Sequence, residues 1–256
     1  MSNLKWQASD NTLQLKLIVS SRYTTSVTVS NPNTSWSTSV NVAANGISEI
    51  SIPVAQAYTT LTETAAKTGL RVVSSKPISL YASNYADASY DATNVLPLPA
   101  LTGNYIIQTY ESNLFFDDIH YAKEFVIVAT DNCTVEITPH ARTTTGRLRN
   151  STFSVSLKKG EVYQVMSTDE NNDLSGTVIR ASRPVAVFSG HQCATVPTDN
   201  EWCDHIVEQS MPVSQWGKRF PVTASMIQET NRVLVTAVSA NTEVSVTGSI
   251  VTPLGA

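Results

Sequence analysis

The sequence predicts an all-β protein with tandem β-sandwich-like repeats of about 108 residues, and three observations support this prediction. Strand-like segments rich in β-branched residues, bounded by Gly, Pro or Asn, recur along the whole chain. No window of about 12 residues shows the 3.6-residue apolar period of a helix. Similar segments also return at a nearly constant spacing, which indicates an internal repeat.

The repeat can be followed along the chain from strand to strand. Leu17, Phe125 and Val233 each begin a similar apolar strand, and they are 108 residues apart (125 − 17 and 233 − 125). GLRVVSSKPISLYAS matches GTVIRASRPVAVFSG, and LPALTGNYIIQT matches MPVSQWGKRFPVT, with Gly and Pro in register. Chance similarity between β segments rarely preserves turn residues, so we interpret the pattern as a duplication.

The duplication predicts how the chain is divided. Residues 12–112 form the first β repeat, 113–124 a connection, 125–228 the second repeat, and 229–256 a partial hairpin that begins a third. Each full repeat has room for about seven strands, the size of a β-sandwich domain. A β-propeller is the alternative, although no period of about 40–50 residues is visible.

Composition narrows the classes of function. The 256 residues are 41% hydrophobic and 15% charged, with a net charge of −4. This charge argues against a nucleic-acid surface, which needs a basic footprint. No apolar run approaches the roughly 20 residues that span a bilayer, so we expect no transmembrane segment. The start, MSNLKWQASD, lacks the apolar core of a signal peptide, which leaves a cytosolic chain or a fragment of a secreted one.

The longest motif lies in the second repeat. ASRPVAVFSGHQCATVP, followed by CDHIVEQSMPVSQWGKRFPV, resembles the signature of the IgGFc-binding protein N-terminal domain family. The resemblance covers about residues 173–223, and the weaker copy at 69–108 fits the same pattern. It implies a secreted or cell-surface protein, part of a larger multidomain chain, that works without catalytic residues or a cofactor.

From this resemblance we expect an extracellular, non-enzymatic binding or adhesion module with a glycoprotein, mucin or glycan as ligand. One alternative is a structural spacer in a larger surface or mucus protein, and another is a carbohydrate-active enzyme. Sugar rings stack on aromatic side chains, so the candidate binding residues are Tyr81, Tyr85, Tyr90, Trp202 and Trp216. Packing in the core or in turns is the alternative role for these residues, because aromatic residues favour strands.

An enzyme would need paired carboxylates. Asp91 and Asp204 align between the repeats at an offset of 113 (204 − 91). We expect these two side chains to cap turns, because Asp readily accepts hydrogen bonds from nearby backbone N–H groups.

Two of the three cysteines flank an insertion that the first repeat lacks. In the secreted context that the resemblance implies, a disulfide between Cys193 and Cys203 is favoured, and closing a loop of about 11 residues stabilises by roughly 2–3 kcal/mol. Free thiols are one alternative. Another is zinc bound by His191, Cys193, Cys203 and His205, although the C-x-x-C turn is missing. The third cysteine, Cys133, is expected to be a buried apolar thiol, and an intermolecular partner is the alternative.

Three N-x-S/T sequons begin at Asn33, Asn132 and Asn150. A chain rich in Ser and Thr contains some sequons by chance. We expect these three to carry glycans only if the host is a eukaryote.

Overall fold

The computed structural model describes residues 13–86, 89–111, 115–116, 119–170, 172–196, 202–223 and 233–247. The all-β prediction is confirmed. Within these residues the strands are β1 (Gln14–Ser21), β2 (Thr25–Ser30), β3 (Ser37–Val42), β4 (Gly46–Ile52), β5 (Ala65–Ala66), β6 (Arg71–Ser74), β7 (Ser79–Ala86), β8 (Ser89–Asn94), β9 (Asn104–Ile106), β10 (Phe115–Phe116), β11 (Ile119–His120), β12 (Lys123–Ala129), β13 (Cys133–Thr138), β14 (Phe153–Leu157), β15 (Val162–Ser167), β16 (Val178–Ala181), β17 (Val185–Ala194) and β18 (Asp204–Gln209). The helical elements are α1 (Val54–Ala57) and two 3₁₀ helices, Leu98–Ala100 and Val213–Gln215.

Two sheets form what we call the N-terminal unit. Their strand orders are β4-β1-β7-β8 and β3-β2-β6, and all neighbouring strands are antiparallel. Side chains alternate between the faces of a strand, so every second residue can enter the core. In β1 these are Leu17 and Val19, which pack with Val27, Val29 and other apolar residues from both sheets.

Two further sheets form what we call the C-terminal unit, with orders β18-β17-β12-β15-β5 and β14-β13-β16-β9. Its core is larger and includes Phe125, Ile127, Val135 and Ile137, all fully buried. The leftover cysteine, Cys133, belongs to this core as a buried free thiol, and burial raises its pKa.

Two short strands from the first predicted repeat pair with strands of the C-terminal unit. Both β5 and β9 lie within residues 12–112, yet they pair with β15 and β16 of the C-terminal unit. Edge strands expose unpaired backbone groups, and the two segments cover such edges. Tyr105 and Ile107 are fully buried in the second core, and the Tyr105 hydroxyl donates to the Val185 carbonyl at 2.6 Å.

The two units share a strand order. When strands are matched by the sequence spacing, β4-β1-β7-β8 corresponds to β15-β12-β17-β18, and β3-β2-β6 corresponds to β14-β13-β16. The sheets ring a common axis, as in a β-propeller, the arrangement that the sequence left as the alternative. Tandem repeats and their boundaries stay a proposal, which this shared order supports.

A seam of side chains joins the two units. Among the described residues β18 has one strand neighbour, β17, so its outer edge carries backbone N–H groups without a strand partner. Three side chains of β8 accept from this edge: Ser89 from His205 N, Asp91 from Val207 N at 2.7 Å, and Thr93 from Gln209 N at 2.8 Å. Side chains of the N-terminal unit thus accept hydrogen bonds from the backbone N–H groups on an edge strand of the C-terminal unit.

The predicted third repeat is described only at residues 233–247. These form a turn at Ala240 and Asn241 without strands on either side, so the expected hairpin remains a prediction. Residues 229–232 and 248–256 lie outside the described residues. In the described part of the chain, no helix has the length and apolar character needed to cross a bilayer.

Candidate functional site

The outer face of the sheet β4-β1-β7-β8 is the candidate binding surface. Leu17 and Val19 of β1 point into the core, so the alternate residues Lys16 and Ile18 face outward. Antiparallel pairing sets Ile18 opposite Tyr81 and Lys16 opposite Ser83. Residues from four strands therefore form one surface, which we call the tyrosine face: Gln14, Lys16, Ile18, Glu49, Tyr81, Ser83, Tyr85 and Tyr90.

The three predicted tyrosines come together on this face. Tyr85 of β7 pairs with Tyr90 of β8, and their ring centroids are 6.4 Å apart with the planes tilted by 54°. Tyr81 and Tyr90 are 45% and 52% exposed, well above the usual exposure of aromatic residues in a sheet. Two aromatic rings are thus held by paired strands with their surfaces open to solvent.

A shallow depression of about 150 Å³ lies between the tyrosines and the neighbouring strands. Its lining includes Gln14, Tyr85 and Tyr90, together with an ion pair in which Lys16 Nζ lies 3.0 Å from Glu49 Oε2. Both charged side chains remain partly exposed, so the pair adds little stability and keeps its polar atoms available. The face combines aromatic surface with amide, ammonium and carboxylate groups.

Sequence reasoning found the tyrosines and missed their polar neighbours. Gln14, Lys16 and Glu49 lie far from Tyr85 and Tyr90 in the chain, and only strand pairing brings them together. Their signal was present in the alternation of polar and apolar residues along β1, which marks an outward face. That alternation does not predict the sheet order, which places β1 beside β7.

The two candidate tryptophans lie elsewhere. Trp202 precedes Cys203 in the C-terminal unit and is 81% exposed. Trp216 follows the second 3₁₀ helix, where its indole Nε1 donates to the Met211 carbonyl at 3.1 Å. Neither lines the depression of the tyrosine face.

The corresponding face of the C-terminal unit is closed to solvent. The strand registers match Lys16 with Glu124 and Glu49 with Gln164, and both C-terminal side chains are fully buried. In the same way Gln192, which is 3% exposed, takes the position of Tyr85. The two units therefore share a strand order but differ in their outer faces: the N-terminal face is aromatic and open to solvent, and the C-terminal face is polar and buried.

The disulfide between Cys193 and Cys203 is confirmed, with Cα atoms 5.1 Å apart. The pairing of β17 with β18 is irregular between His191 and Ala194, so the disulfide ties the strand pair where its ladder is broken. Tyr121 packs against both sulfur-bearing residues.

Two buried histidines accompany the disulfide. His191 Nδ1 accepts from Cys193 N at 3.0 Å, and His205 Nδ1 donates to the His191 carbonyl at 3.0 Å. Burial lowers the pKa of His205 to about 3, so this ring is neutral at physiological pH. The zinc alternative requires two thiolates, and the disulfide uses both sulfur atoms.

The aligned carboxylates Asp91 and Asp204 lie at the seam. Asp91 accepts from Ala92 N and Val207 N, both at 2.7 Å, and Asp204 accepts from Ser89 Oγ and His205 N. The turn-capping prediction was right about the donors, since backbone N–H groups bind both carboxylates, but wrong about the place. Both aspartates lie in strands, and Asp91 reaches across to the other unit.

The three sequons differ in accessibility. The Asn33 amide nitrogen, which would carry a glycan, is buried and has no hydrogen-bond partner among the described residues. Asn132 and Asn150 are exposed, with Asn150 in a turn at φ 61°. Asn132 uses its side-chain oxygen to accept from Lys159 N at 3.0 Å, which leaves its amide nitrogen to solvent.

Comparison with known proteins assigns the chain to a family. The fold defines the class of all-β proteins, and the described residues include an exposed aromatic face with a shallow depression. A family model described as "IgGFc binding protein" matches residues 91–255. The chain belongs to the IgGFc-binding family, and this membership indicates an extracellular binding module.

One relative illustrates the extent of the similarity. The chain is 32% identical over 146 residues to the IgGFc-binding protein of Homo sapiens. The match covers 57% of this chain and about 3% of that protein's length. No solved structure matches the chain.

Proposed function

We propose that the chain is a secreted or surface-bound binding module whose tyrosine face takes the glycan of a glycoprotein, such as a mucin. The exposure of Tyr81 and Tyr90, on strands fixed by pairing, is the observation that carries this proposal. The disulfide supports an oxidising compartment, since such bonds are rare in reducing ones.

The chemistry of the face suits a sugar. An aromatic ring offers an apolar platform for the C–H face of a pyranose, and it buries area at little cost in side-chain entropy. Gln14, Lys16 and Glu49 supply donors and acceptors for the hydroxyl groups. The depression of about 150 Å³ is below the roughly 300 Å³ at which drug-sized ligands are enclosed, which favours a ligand bound at the surface.

A protein ligand is the second candidate. The human relative is named for binding IgG Fc, and tyrosine is enriched among residues that dominate protein interfaces. A flat face built from four strands is compatible with a standard interface, which buries about 800 Å² on each partner.

A glycan array with soluble Fc as a second bait distinguishes the two candidates. Signal on a related set of glycans, competed by free sugar, is expected. Binding to deglycosylated Fc without binding to any glycan would indicate that the ligand is a protein surface. A blank array together with no Fc binding would favour the structural spacer.

The carbohydrate-active enzyme is tested separately. Both carboxylates of the aligned pair already accept backbone N–H groups, which supports a structural role for them. A glycosidase panel should therefore be blank. Turnover that is lost in Asp204→Asn would overturn the non-enzymatic assignment.

A further inference from the structure

The segment after the second 3₁₀ helix is the counterpart, in the second predicted repeat, of the segment that contains strand β9. Each predicted repeat ends in the same way, with a proline, a 3₁₀ helix and then a short segment containing Gly, namely GNYIIQT at 103–109 and GKRFPVT at 217–223. The first of these segments contains β9, which completes a sheet of the C-terminal unit. The second has no strand partner among the described residues, and its Phe220 and Val222 are 71% and 63% exposed.

The way in which β9 binds shows what such a segment needs. Ile107 N donates to the Thr177 carbonyl at 2.9 Å, and Ala181 N donates to the Gly103 carbonyl at 2.8 Å. Alternate residues of a strand direct their backbone groups to the same side, so Ile106 directs its N–H away from this ladder. Tyr105 and Ile107 enter the core.

The second segment has the residues for this role. If Phe220 and Val222 take the inward positions of Tyr105 and Ile107, Pro221 takes the position of Ile106. That position needs no N–H, and proline is tolerated at such places in edge strands. The apolar alternation and the proline therefore indicate the same register. Gly217 then lies one residue further from Phe220 than Gly103 does from Tyr105, a difference that a bulge absorbs.

The N-terminal unit offers a matching edge. Strand β6 pairs with β2 as β16 pairs with β13, and the registers match Ser74 with Ala181 and Val72 with Ile179. β16 has β9 on its other side, whereas β6 has β2 as its one strand neighbour among the described residues. Within the part of the chain that the structure describes, the segment 217–223 therefore has no strand partner, and the outer edge of β6 in the N-terminal unit has none either.

We propose that residues 218–222 form a strand that adds to the outer edge of β6 in a second copy of this chain. The contact is head-to-tail, because the donating and accepting surfaces are different parts of the chain. Strand addition to a sheet edge gives affinity through main-chain hydrogen bonds and specificity through alternate side chains, here Phe220 and Val222.

Sedimentation velocity over a concentration series tests the proposal on the whole chain. The wild type is expected to self-associate in a concentration-dependent way. Phe220→Asp/Val222→Asp should raise the dissociation constant at least about tenfold, because two charges would enter an apolar site. The matched control is Val244→Asp/Val246→Asp, an apolar pair of which each residue is 61% exposed, and it should leave association unchanged.

A complementation experiment makes the test decisive. Ser74→Pro blocks the accepting edge, since the Ser74 N–H corresponds to the Ala181 N–H that binds β9, and thermal unfolding checks that the unit still folds. The donor variant and Ser74→Pro should each be monomeric, and their mixture should form a 1:1 complex that does not extend. A monomeric wild type, or a donor variant that associates like the wild type, would overturn the proposal.

Discussion

The two four-strand arrangements β4-β1-β7-β8 and β15-β12-β17-β18 share an order but differ in what their outer faces meet. In the N-terminal unit the outer face carries Tyr81 and Tyr90, half open to solvent. In the C-terminal unit the corresponding face carries Glu124 and Gln164, both fully buried. Strand order therefore does not decide whether the outer face of a sheet is open to solvent.

Burying polar side chains on that face costs the C-terminal unit free energy of folding. Buried polar groups need partners, and a buried ionisable group resists the charged form. This unit also carries the disulfide, two buried histidines and the buried Lys123, whose pKa burial lowers. The buried polar side chains of the N-terminal unit, such as Thr25, Asn31 and Thr93, do not titrate, so its stability should depend less on pH and on oxidation.

The largest expected effect is the response of the C-terminal unit to acid. His205 has a folded pKa of about 3, below the ordinary value of 6.5, so its contribution is present above pH 6.5 and is lost as pH falls towards 3. At about 1.4 kcal/mol per pH unit, this amounts to roughly 5 kcal/mol at most. Burial raises the pKa values of Asp91 and Glu208, and these two groups oppose part of the loss.

Urea unfolding at a series of pH values measures this effect. The free energy of unfolding should fall between pH 6.5 and 4, and His205→Gln should flatten the curve. His120→Gln, at an exposed position, serves as the control. An unchanged slope in His205→Gln would show that other groups govern the acid response.

The next effect is the loss of the disulfide. The Cys193→Ala/Cys203→Ala variant should lower the free energy of unfolding by roughly 2–3 kcal/mol, because the unfolded chain regains the entropy of a loop of about 11 residues. The reduced wild type should behave like the variant in denaturant unfolding. If the variant lost ligand binding at the tyrosine face to the same extent as it lost stability, the N-terminal unit would depend on the disulfide, contrary to our expectation.

A smaller effect is expected at the seam. Thr93→Val keeps the shape of the side chain but removes the acceptor for Gln209 N, at a cost of about 1–2 kcal/mol. Thr28→Val is the matched control, since among the described residues the Thr28 hydroxyl bonds to Ser39 Oγ at the surface, and its loss should cost less. Equal losses in the two variants, measured by thermal unfolding, would mean that the seam contributes little.

Much of the fold could be predicted from local signals. Period-2 alternation and turn residues located most strands, and the repeat spacing of Leu17 and Phe125 matched the shared strand order of the two units. The crossing of β5 and β9 into the other unit could not be predicted, because the sequence of a short strand does not indicate which of several exposed edges it covers.

The candidate site was predictable to a lesser extent. Aromatic residues mark binding surfaces only when they are exposed, and exposure depends on which sheet face is covered. The sequence could not distinguish Tyr81 and Tyr90, which lie on an open face, from Trp216, whose indole binds the Met211 carbonyl. The disulfide was recoverable because Cys193 and Cys203 appear together around one insertion.

The most direct test of the central claim is the affinity of the Tyr81→Ala/Tyr90→Ala variant for an immobilised mucin glycopeptide mixture. The variant should bind at least about tenfold more weakly, because two stacking surfaces are lost. Tyr23→Ala removes a tyrosine of equal exposure (52%, as for Tyr90) from outside this face and should bind like the wild type. Unchanged binding by Tyr81→Ala/Tyr90→Ala, or an equal loss in Tyr23→Ala, would contradict the assignment of the tyrosine face as the ligand surface.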